Sequence, residues 1–421
     1  MEFSTLALLL VQIVVVLATS RLVAIATRRL GQPMVIAEMV AGIMLGPSLL
    51  GLLWPTGYAA LFPAASLGIL KMLSQLGLVL FMFLVGLELD PALLRGRGRA
   101  SVAVSHTSIA FPFVLGLGCA WLMHDSYAPA GVTFLPFALF LGISLSVTAF
   151  PVLARILSER GMMQSRVGAI AIACAAVDDV SAWCILAVVV TIARAKAMSD
   201  ALLTTALAGA FTLTMLFVVR PLLARLVPVV ERRGGLTPTK LVGVLILVLV
   251  SSTITEVIGI HALFGAFLFG AVMPKEGNLA HTIGGKLESV AVLLLMPLFF
   301  AYSGLRTEIG SLRGQEQWLL TFGIIGLATL GKFGGSTLAA RFTGLNWREA
   351  SELGVLMNTR GLMELIVLNV GMDLGVITPT VFTMLVLMAL ITTFATTPVL
   401  AWLRVRDARP AAANPGRIYV E

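Results

Sequence analysis

Two adjacent aspartates, Asp178 and Asp179, stand near the middle of an otherwise uncharged apolar stretch that covers residues 167–193. A stretch of this length can cross a bilayer, and a carboxylate at the bilayer centre costs roughly 2.5–3.5 kcal/mol on insertion scales. Neighbouring residues on a helix point about 100° apart, so one carboxylate can face a packed partner while the other faces a water-filled cavity. Such residues are typical of ion and proton pathways, which makes the pair our candidate site.

Lys332 is the only charged residue between Trp318 and Ala340, in another apolar stretch that is rich in glycine. Small residues let a second helix approach closely, and a buried lysine must find an opposite charge or lose its proton. The aspartate pair is the obvious partner. The alternative is that the amine reaches an interface along its flexible stem.

A proline interrupts residues 144–157, where Pro151 follows the polar side chains of Ser144, Ser146 and Thr148. Proline removes a backbone donor and frees a carbonyl, which a membrane helix tolerates where protein or a cavity compensates. We predict an unwound position here, with Thr148 and a carbonyl near Pro151 as candidate cation ligands. An ordinary kinked helix is the alternative.

A second polar interruption lies in residues 354–371, where Asn358, Thr359, Arg360 and Glu364 occur in apolar sequence. Arg360 and Glu364 are four residues apart, so their charges can neutralise each other on one helix face. We interpret this segment as the counterpart of the proline-containing one.

The whole chain has the composition of a polytopic helical membrane protein. Of its 421 residues, 58% are hydrophobic and 12% are charged, whereas soluble domains carry about 25% charged residues. The net charge of +8 is better explained by cytoplasmic loop arginines than by nucleic-acid binding, because no basic stripe is interleaved with aromatic residues. Thirteen spans are predicted, at residues 5–26, 33–53, 67–87, 101–123, 134–157, 167–193, 201–227, 239–257, 260–274, 288–305, 318–340, 349–372 and 378–403.

Basic residues are concentrated in the loops on one side of these spans, such as the loop with Arg28 and Arg29. The positive-inside rule then places the N-terminus outside and the C-terminus, with a short tail at 404–421, in the cytoplasm. The exceptions on the other side are Lys71, Arg194, Lys196, Arg306 and Arg313.

An internal repeat is faintly visible, because LFMFLVGLE at 80–88 resembles LFFAYSGLR at 298–306. The match sets the third span over the tenth. The two matched spans are seven spans apart, and seven is an odd number of membrane crossings. The second half therefore enters the membrane from the opposite side, as in transporters with inverted repeats. The predicted divisions are a first repeat at 1–193, a linker span at 194–238 and a second repeat at 239–403.

Five further motifs follow one another in order. They are GQPMVIAEMVAGIMLGPSLLG (31–51), LGLVLFMFLVGLELD (76–90), SVTAFPVLARIL (146–157), AAVDDVSAW (175–183) and IGIHALFGAFLFGAVMP (258–274). Together they resemble the monovalent cation:proton antiporter superfamily, in its second, Kef-type (sodium–proton exchanger) branch. MNTRGLMELIVLNVG (357–371) is similar to the plant and fungal cation/proton exchangers of that branch. The resemblance covers nearly the whole chain.

The resemblance implies an inverted repeat of six-helix halves, with a dimerisation domain and a core in which two unwound helices cross beside the ion site. It also implies a homodimer, and we expect a location in the bacterial inner membrane. Carried over by motif, Asp179 is the main carrier of cation and proton, and Asp178 is the partner of Lys332. The residues expected to support the crossing are Ser146, Pro151, Asn358, Arg360 and Glu364.

We therefore expect no enzyme and no cofactor but an antiporter, in which Na⁺ (the first candidate) and protons compete for carboxylates that titrate as a coupled pair. The resemblance also implies electrogenic exchange, because family members with two aspartates at this point are typically electrogenic. Three alternatives stay open: K⁺/H⁺ exchange, a channel-like or sensory protein with a vestigial site, and an exporter of organic cations on the same fold.

Overall fold

The computed structural model describes residues 4–29, 31–88, 98–163, 165–195, 198–232, 235–275 and 278–405. Over these residues the regular structure is helical throughout. The first half contains α1 (Thr5–Arg28), α2 (Met34–Leu45), α3 (Leu50–Leu53), α4 (Pro55–Leu61), α5 (Ala64–Glu88), α6 (Gly98–Tyr127), α7 (Phe134–Ser146), α8 (Phe150–Glu159), α9 (Arg166–Arg194) and α10 (Met198–Thr214). The second half contains α11 (Arg220–Arg232), α12 (Pro238–Ile258), α13 (Ala262–Val272), α14 (Leu279–Val290), α15 (Met296–Leu305), α16 (Gln315–Thr329), α17 (Gly335–Phe342), α18 (Trp347–Met357), α19 (Leu362–Asp373) and α20 (Pro379–Val405).

Within this described part, eleven helical segments are long and apolar enough to cross a membrane, and α18 with α19 forms a twelfth that is bent by 41°. The predicted span at 260–274 corresponds to α13, which has only 11 residues. The predicted all-α membrane fold is confirmed, and each predicted stretch coincides with helix. The predicted tail after residue 405 lies outside the described residues.

The helices pack in two groups. One group combines α1–α5 with α12–α15, and the other combines α6–α9 with α16–α20. Each group therefore takes helices from both halves of the chain. This is the arrangement that an inverted repeat produces, although the repeat boundaries stay a prediction.

Glycines allow very close helix contacts inside the first group. A Cβ at Gly304 would overlap the backbone of Gly42, so α15 and α2 touch almost backbone to backbone. A Cβ at Gly270 would likewise overlap the backbone of Phe83 and Gly86, where α13 meets α5. The predicted inverted repeat makes α13 the counterpart of α2 and α15 the counterpart of α5. The contact between α2 and α15 then has the contact between α13 and α5 as its counterpart, and both are observed.

Candidate functional site

Two helix breaks cross inside the second group. Residues 147–149 separate α7 from α8, and residues 358–361 separate α18 from α19. The Ala149 backbone N–H donates to the Thr359 carbonyl at 3.0 Å. Unwound backbone inside a membrane is tolerated only where protein or a cavity satisfies it, and here each break supplies partners for the other.

The first break lies just before Pro151 rather than at it. Pro151 occupies the first turn of α8, where the missing N–H would have had no helical partner in any case. The carbonyls without helical partners therefore belong to the end of α7. The carbonyl expected near Pro151 thus belongs to the residues before the proline, and its role as a cation ligand stays a prediction. Ser146 is also directed elsewhere, because its hydroxyl donates to the Ile143 carbonyl within α7 at 3.0 Å.

Arg360 connects the two breaks. Its guanidinium donates to the Ser144 carbonyl at 2.7 Å, to the Leu145 carbonyl at 2.6 Å and to Glu364 at 3.0 Å. The side chains of Arg360 and Glu364 are fully buried. The sequence predicted their pairing, but it did not indicate that the same guanidinium caps the carboxyl end of α7.

We expect Arg360→Lys to lower the free energy of unfolding by about 1–3 kcal/mol, because an ammonium cannot reproduce the planar fork that reaches three acceptors. Thermal unfolding of the purified protein would measure the change. Arg313→Lys, at an exposed position, is the matched control. An Arg360→Lys variant as stable as this control would contradict the capping role.

Asp178 lies in a saturated polar cluster. Lys332 Nζ is 2.9 Å from Asp178 Oδ2, and both side chains are buried. Thr148 Oγ1 lies 2.8 Å from the same carboxylate oxygen and accepts from Lys332 Nζ at 2.6 Å. Lys332 sits in the π-helical turn Leu330–Gly334, a local widening that is frequent at functional sites.

Two serines that the sequence reasoning missed complete this cluster. Ser105 Oγ donates to Asp178 at 3.1 Å, and Ser108 Oγ lies 3.0 and 2.9 Å from its two oxygens. Both belong to α6, where Ser101, Ser105 and Ser108 are spaced four and three residues apart. That spacing puts them on one face of a helix, which was the available signal.

Asp179 has the opposite environment. It is 2% exposed, and within the described part of the chain neither of its buried carboxylate oxygens accepts a hydrogen bond of good geometry. The backbone amide of Phe150, at the amino end of α8, lies beside it, and a helix amino end favours an anion. Buried carboxylate oxygens without partners are rare in native proteins and need an explanation.

Two further buried oxygens lie in the second break, Asn358 Oδ1 and Thr359 Oγ1, and neither has a hydrogen-bond partner among the residues that the structure describes. One is an amide carbonyl oxygen and the other a hydroxyl oxygen, and hard cations prefer oxygen ligands of this kind. Among the described residues, no cluster of three or more His, Cys, Asp or Glu side chains has metal-ligating geometry. The chemistry available at the crossing is therefore that of a small oxygen-liganded ion and of protons.

A cavity of about 800 Å³ leads towards the crossing. Its lining includes Phe150 and Pro151 of α8, Leu362 of α19, and the charged residues Glu38 and Arg155. We call it the basic-face cavity, because it opens on the side where the loops rich in arginine and lysine lie. Phe150 lines this cavity and its backbone amide adjoins Asp179, so the cavity comes within one residue of that carboxylate.

The chain matches the family model "Sodium/hydrogen exchanger, transmembrane" over residues 14–404. It is 42% identical over 399 residues to the Na(+)/H(+) antiporter NhaS4 of Synechocystis sp., covering 94% of this chain and 97% of that one. Cation/H(+) antiporter 17 of Arabidopsis thaliana is 43% identical over 396 residues, which are 93% of this chain but 48% of the plant protein.

K(+)/H(+) antiporter 1 of Saccharomyces cerevisiae is 33% identical over 403 residues, which cover 94% of this chain and 46% of the yeast protein. The chain thus spans about half the length of these two eukaryotic relatives. Among solved structures, the sodium proton antiporter MjNhaP1 from Methanocaldococcus jannaschii superposes with a TM-score of 0.65 at 15% identity, over 96% of this chain and 99% of that one. At this identity the match supports the fold alone.

Proposed function

Because the chain belongs to the transmembrane sodium/hydrogen exchanger family, we propose that it exchanges a monovalent cation for protons at Asp179, with Na⁺ as the first candidate. The observation that carries the proposal is the contrast between two neighbouring carboxylates. Asp178 accepts several hydrogen bonds, whereas both oxygens of the buried Asp179 accept none of good geometry from the residues that the structure describes. A carboxylate in that state needs either a proton or a cation.

Exchange then follows from competition for one site. A proton on Asp179 neutralises the carboxylate, and a cation does the same when its oxygen ligands replace the water that it loses. Asn358 Oδ1 and Thr359 Oγ1, with no partners of their own, are the additional ligands that we propose. Because proton and cation cannot both occupy Asp179, movement of the loaded site between the two faces couples their fluxes in opposite directions.

Thr148 and Asp178 have a conditional role in this mechanism. Their oxygens are engaged by the Lys332 ammonium, so they can coordinate a cation only if Lys332 withdraws or gives up its proton. A cation that displaces the Lys332 proton as well as the Asp179 proton would exchange for two protons. We therefore propose electrogenic exchange, with the Lys332–Asp178 pair as the source of the second proton.

The basic-face cavity supplies the route. We propose that the state described here gives access to the site from that side, which the positive-inside rule identifies with the cytoplasm. We propose a location in the bacterial inner membrane, with the N-terminus outside and a homodimer as the assembled form. The repeats at 1–193 and 239–403, joined by the linker span at 194–238, are proposed as the halves that form the core together.

K⁺ in place of Na⁺ is the second candidate. The yeast relative named as a K(+)/H(+) antiporter shares this fold family, and all-oxygen ligands accept either ion. Discrimination depends on ligand distances, which one substitution near Asn358 could shift.

The decisive experiment uses purified protein in vesicles that contain a pH-sensitive dye. After a pH gradient is imposed, Na⁺, K⁺ and Li⁺ are added in turn, each with and without an imposed membrane potential. We expect one ion to dissipate the gradient in a saturable way, and we expect the rate to depend on the potential.

A potential-independent rate would contradict the electrogenic mechanism but not exchange itself. Cation flux without proton movement would instead favour a channel. If no inorganic cation changes the internal pH in folded protein, the proposed function is wrong, and an organic-cation exporter or a sensor becomes the better account.

A further inference from the structure

Three charged residues join the two helix groups at the face opposite the basic-face cavity. Asp373, at the end of α19, lies 2.9 Å from Lys71 Nζ of α5 and 2.9 Å from Arg306 of α15. Asp373 belongs to the group with the ion site, whereas Lys71 and Arg306 belong to the other group. One carboxylate therefore connects the two groups through two ion pairs.

Arg306 is held in place by more than this pair. Its guanidinium donates to Asn369 Oδ1 at 2.9 Å and lies 5.4 Å from the Tyr302 ring centre and 5.7 Å from that of Phe382. Its side chain is 17% exposed, so these contacts are only partly screened by solvent. Asn369 in turn donates to Ser303 Oγ at 2.7 Å. The guanidinium thus fixes α19 against α15.

A narrow cleft lies beneath these ion pairs, with a volume of about 30 Å³. This is room for only one or two waters. Its lining includes Lys71, Ser74, His261, Ile366, Asn369 and Asp373. We call it the opposite-face cleft.

The cleft and the basic-face cavity approach the same helix from its two ends. The cavity reaches Leu362, the first residue of α19, and the cleft reaches Ile366. Four residues of helix separate these positions, which is about 6 Å along the axis. The barrier between the two routes is therefore roughly one helical turn, close to the break that carries Asn358.

From this geometry we infer that the opposite-face cleft is the closed second access route, and that Asp373 is the latch that seals it by bridging Lys71 and Arg306. The inference rests on the proposed function, because it assigns the second of the two routes that exchange requires. It also explains why Lys71 and Arg306 are exceptions to the positive-inside rule, because both basic side chains are paired with Asp373 of the other helix group.

Removal of the latch should shift the equilibrium towards the state open to the opposite face. A cysteine at Ser74 reports this, since Ser74 is 1% exposed and lines the cleft. The native cysteines Cys119, Cys174 and Cys184 are first replaced. We expect Asp373→Asn to raise the rate at which a membrane-impermeant thiol reagent labels Ser74→Cys from the opposite face by about ten-fold.

A second reporter makes the result specific. Ala280 lines the basic-face cavity, so Ala280→Cys reports access from the basic face. Its labelling from that face should fall when the labelling of Ser74→Cys rises. Arg313→Gln is the matched control, because it removes an exposed positive charge from the same end of the molecule. Lys71→Gln leaves the ion pair between Asp373 and Arg306 intact, so it should change the labelling of both cysteines in the same directions but by less. It replaces Asp373→Asn in the experiment if that variant does not fold.

Unchanged labelling of both cysteines in folded protein would overturn the inference. A rise at both positions would overturn it too, since it would mean local unfolding rather than a change of open side. Labelling requires neither a cation nor a proton flux, so its outcome is independent of the vesicle experiment that tests exchange.

Discussion

Replacement of Asp179 by asparagine will abolish cation/proton exchange, with the flux falling to that of protein-free vesicles. Asparagine has the same shape but can neither bind a proton in this range nor neutralise a cation. Asp179 is buried, and among the described residues no charged side chain forms an ion pair with it, so its replacement leaves no charged neighbour there unpaired. The variant should therefore fold normally while it loses function.

The dye assay in vesicles measures this result, with Asp125→Asn as the matched control. The Asp125 side chain is 99% exposed, so the same chemical change at that position should leave the flux intact. Cation-coupled proton flux that persists in Asp179→Asn would remove Asp179 from the centre of the mechanism.

Removal of the Lys332 charge will produce the largest loss of stability. In Lys332→Met, the buried Asp178 loses the only ion-pair partner that it has among the described residues, and loss of one member of a buried pair costs about 3–5 kcal/mol. The midpoint of thermal unfolding should fall well below that of Lys286→Met, a matched change at an exposed lysine. If Asp178 is replaced by asparagine as well, exchange should also lose its dependence on membrane potential, because the pair can no longer supply a second proton.

The double variant Lys332→Met with Asp178→Asn tests the cause. It removes both charges, so it should recover part of the stability that the single variant loses. A double variant no more stable than Lys332→Met would show that the loss came from packing around the π-helical turn rather than from an unpaired carboxylate.

Much of the fold was predictable because membrane insertion constrains sequence strongly. Every stretch predicted as a span is helical apart from short breaks such as those at 147–149 and 358–361, since lipid leaves the backbone no other partner than itself. The charges inside apolar stretches were equally visible, because each one is costly at that depth. Asp178, Asp179 and Lys332 could therefore be identified as one cluster before any geometry was known.

The parts that sequence reasoning missed depend on distances between helices. Ser105 and Ser108 are unremarkable hydroxyls until α6 packs against α9. The first break was predicted close to Pro151 and lies at 147–149, but the sequence did not indicate that the proline starts a helix or that Arg360 satisfies the carbonyls before it. The latch at Asp373 joins residues about 300 positions apart in the chain, which no local pattern encodes.

In the proposed mechanism a cation and a proton compete for the carboxylate of Asp179. The most direct test is proton release from purified protein in weakly buffered solution when Na⁺ or K⁺ is added, with the pH followed by an indicator dye. We predict release that saturates with the transported ion and is absent in Asp179→Asn. Cation binding that releases no proton, or equal release from the Asp179→Asn variant, would contradict competition at this site.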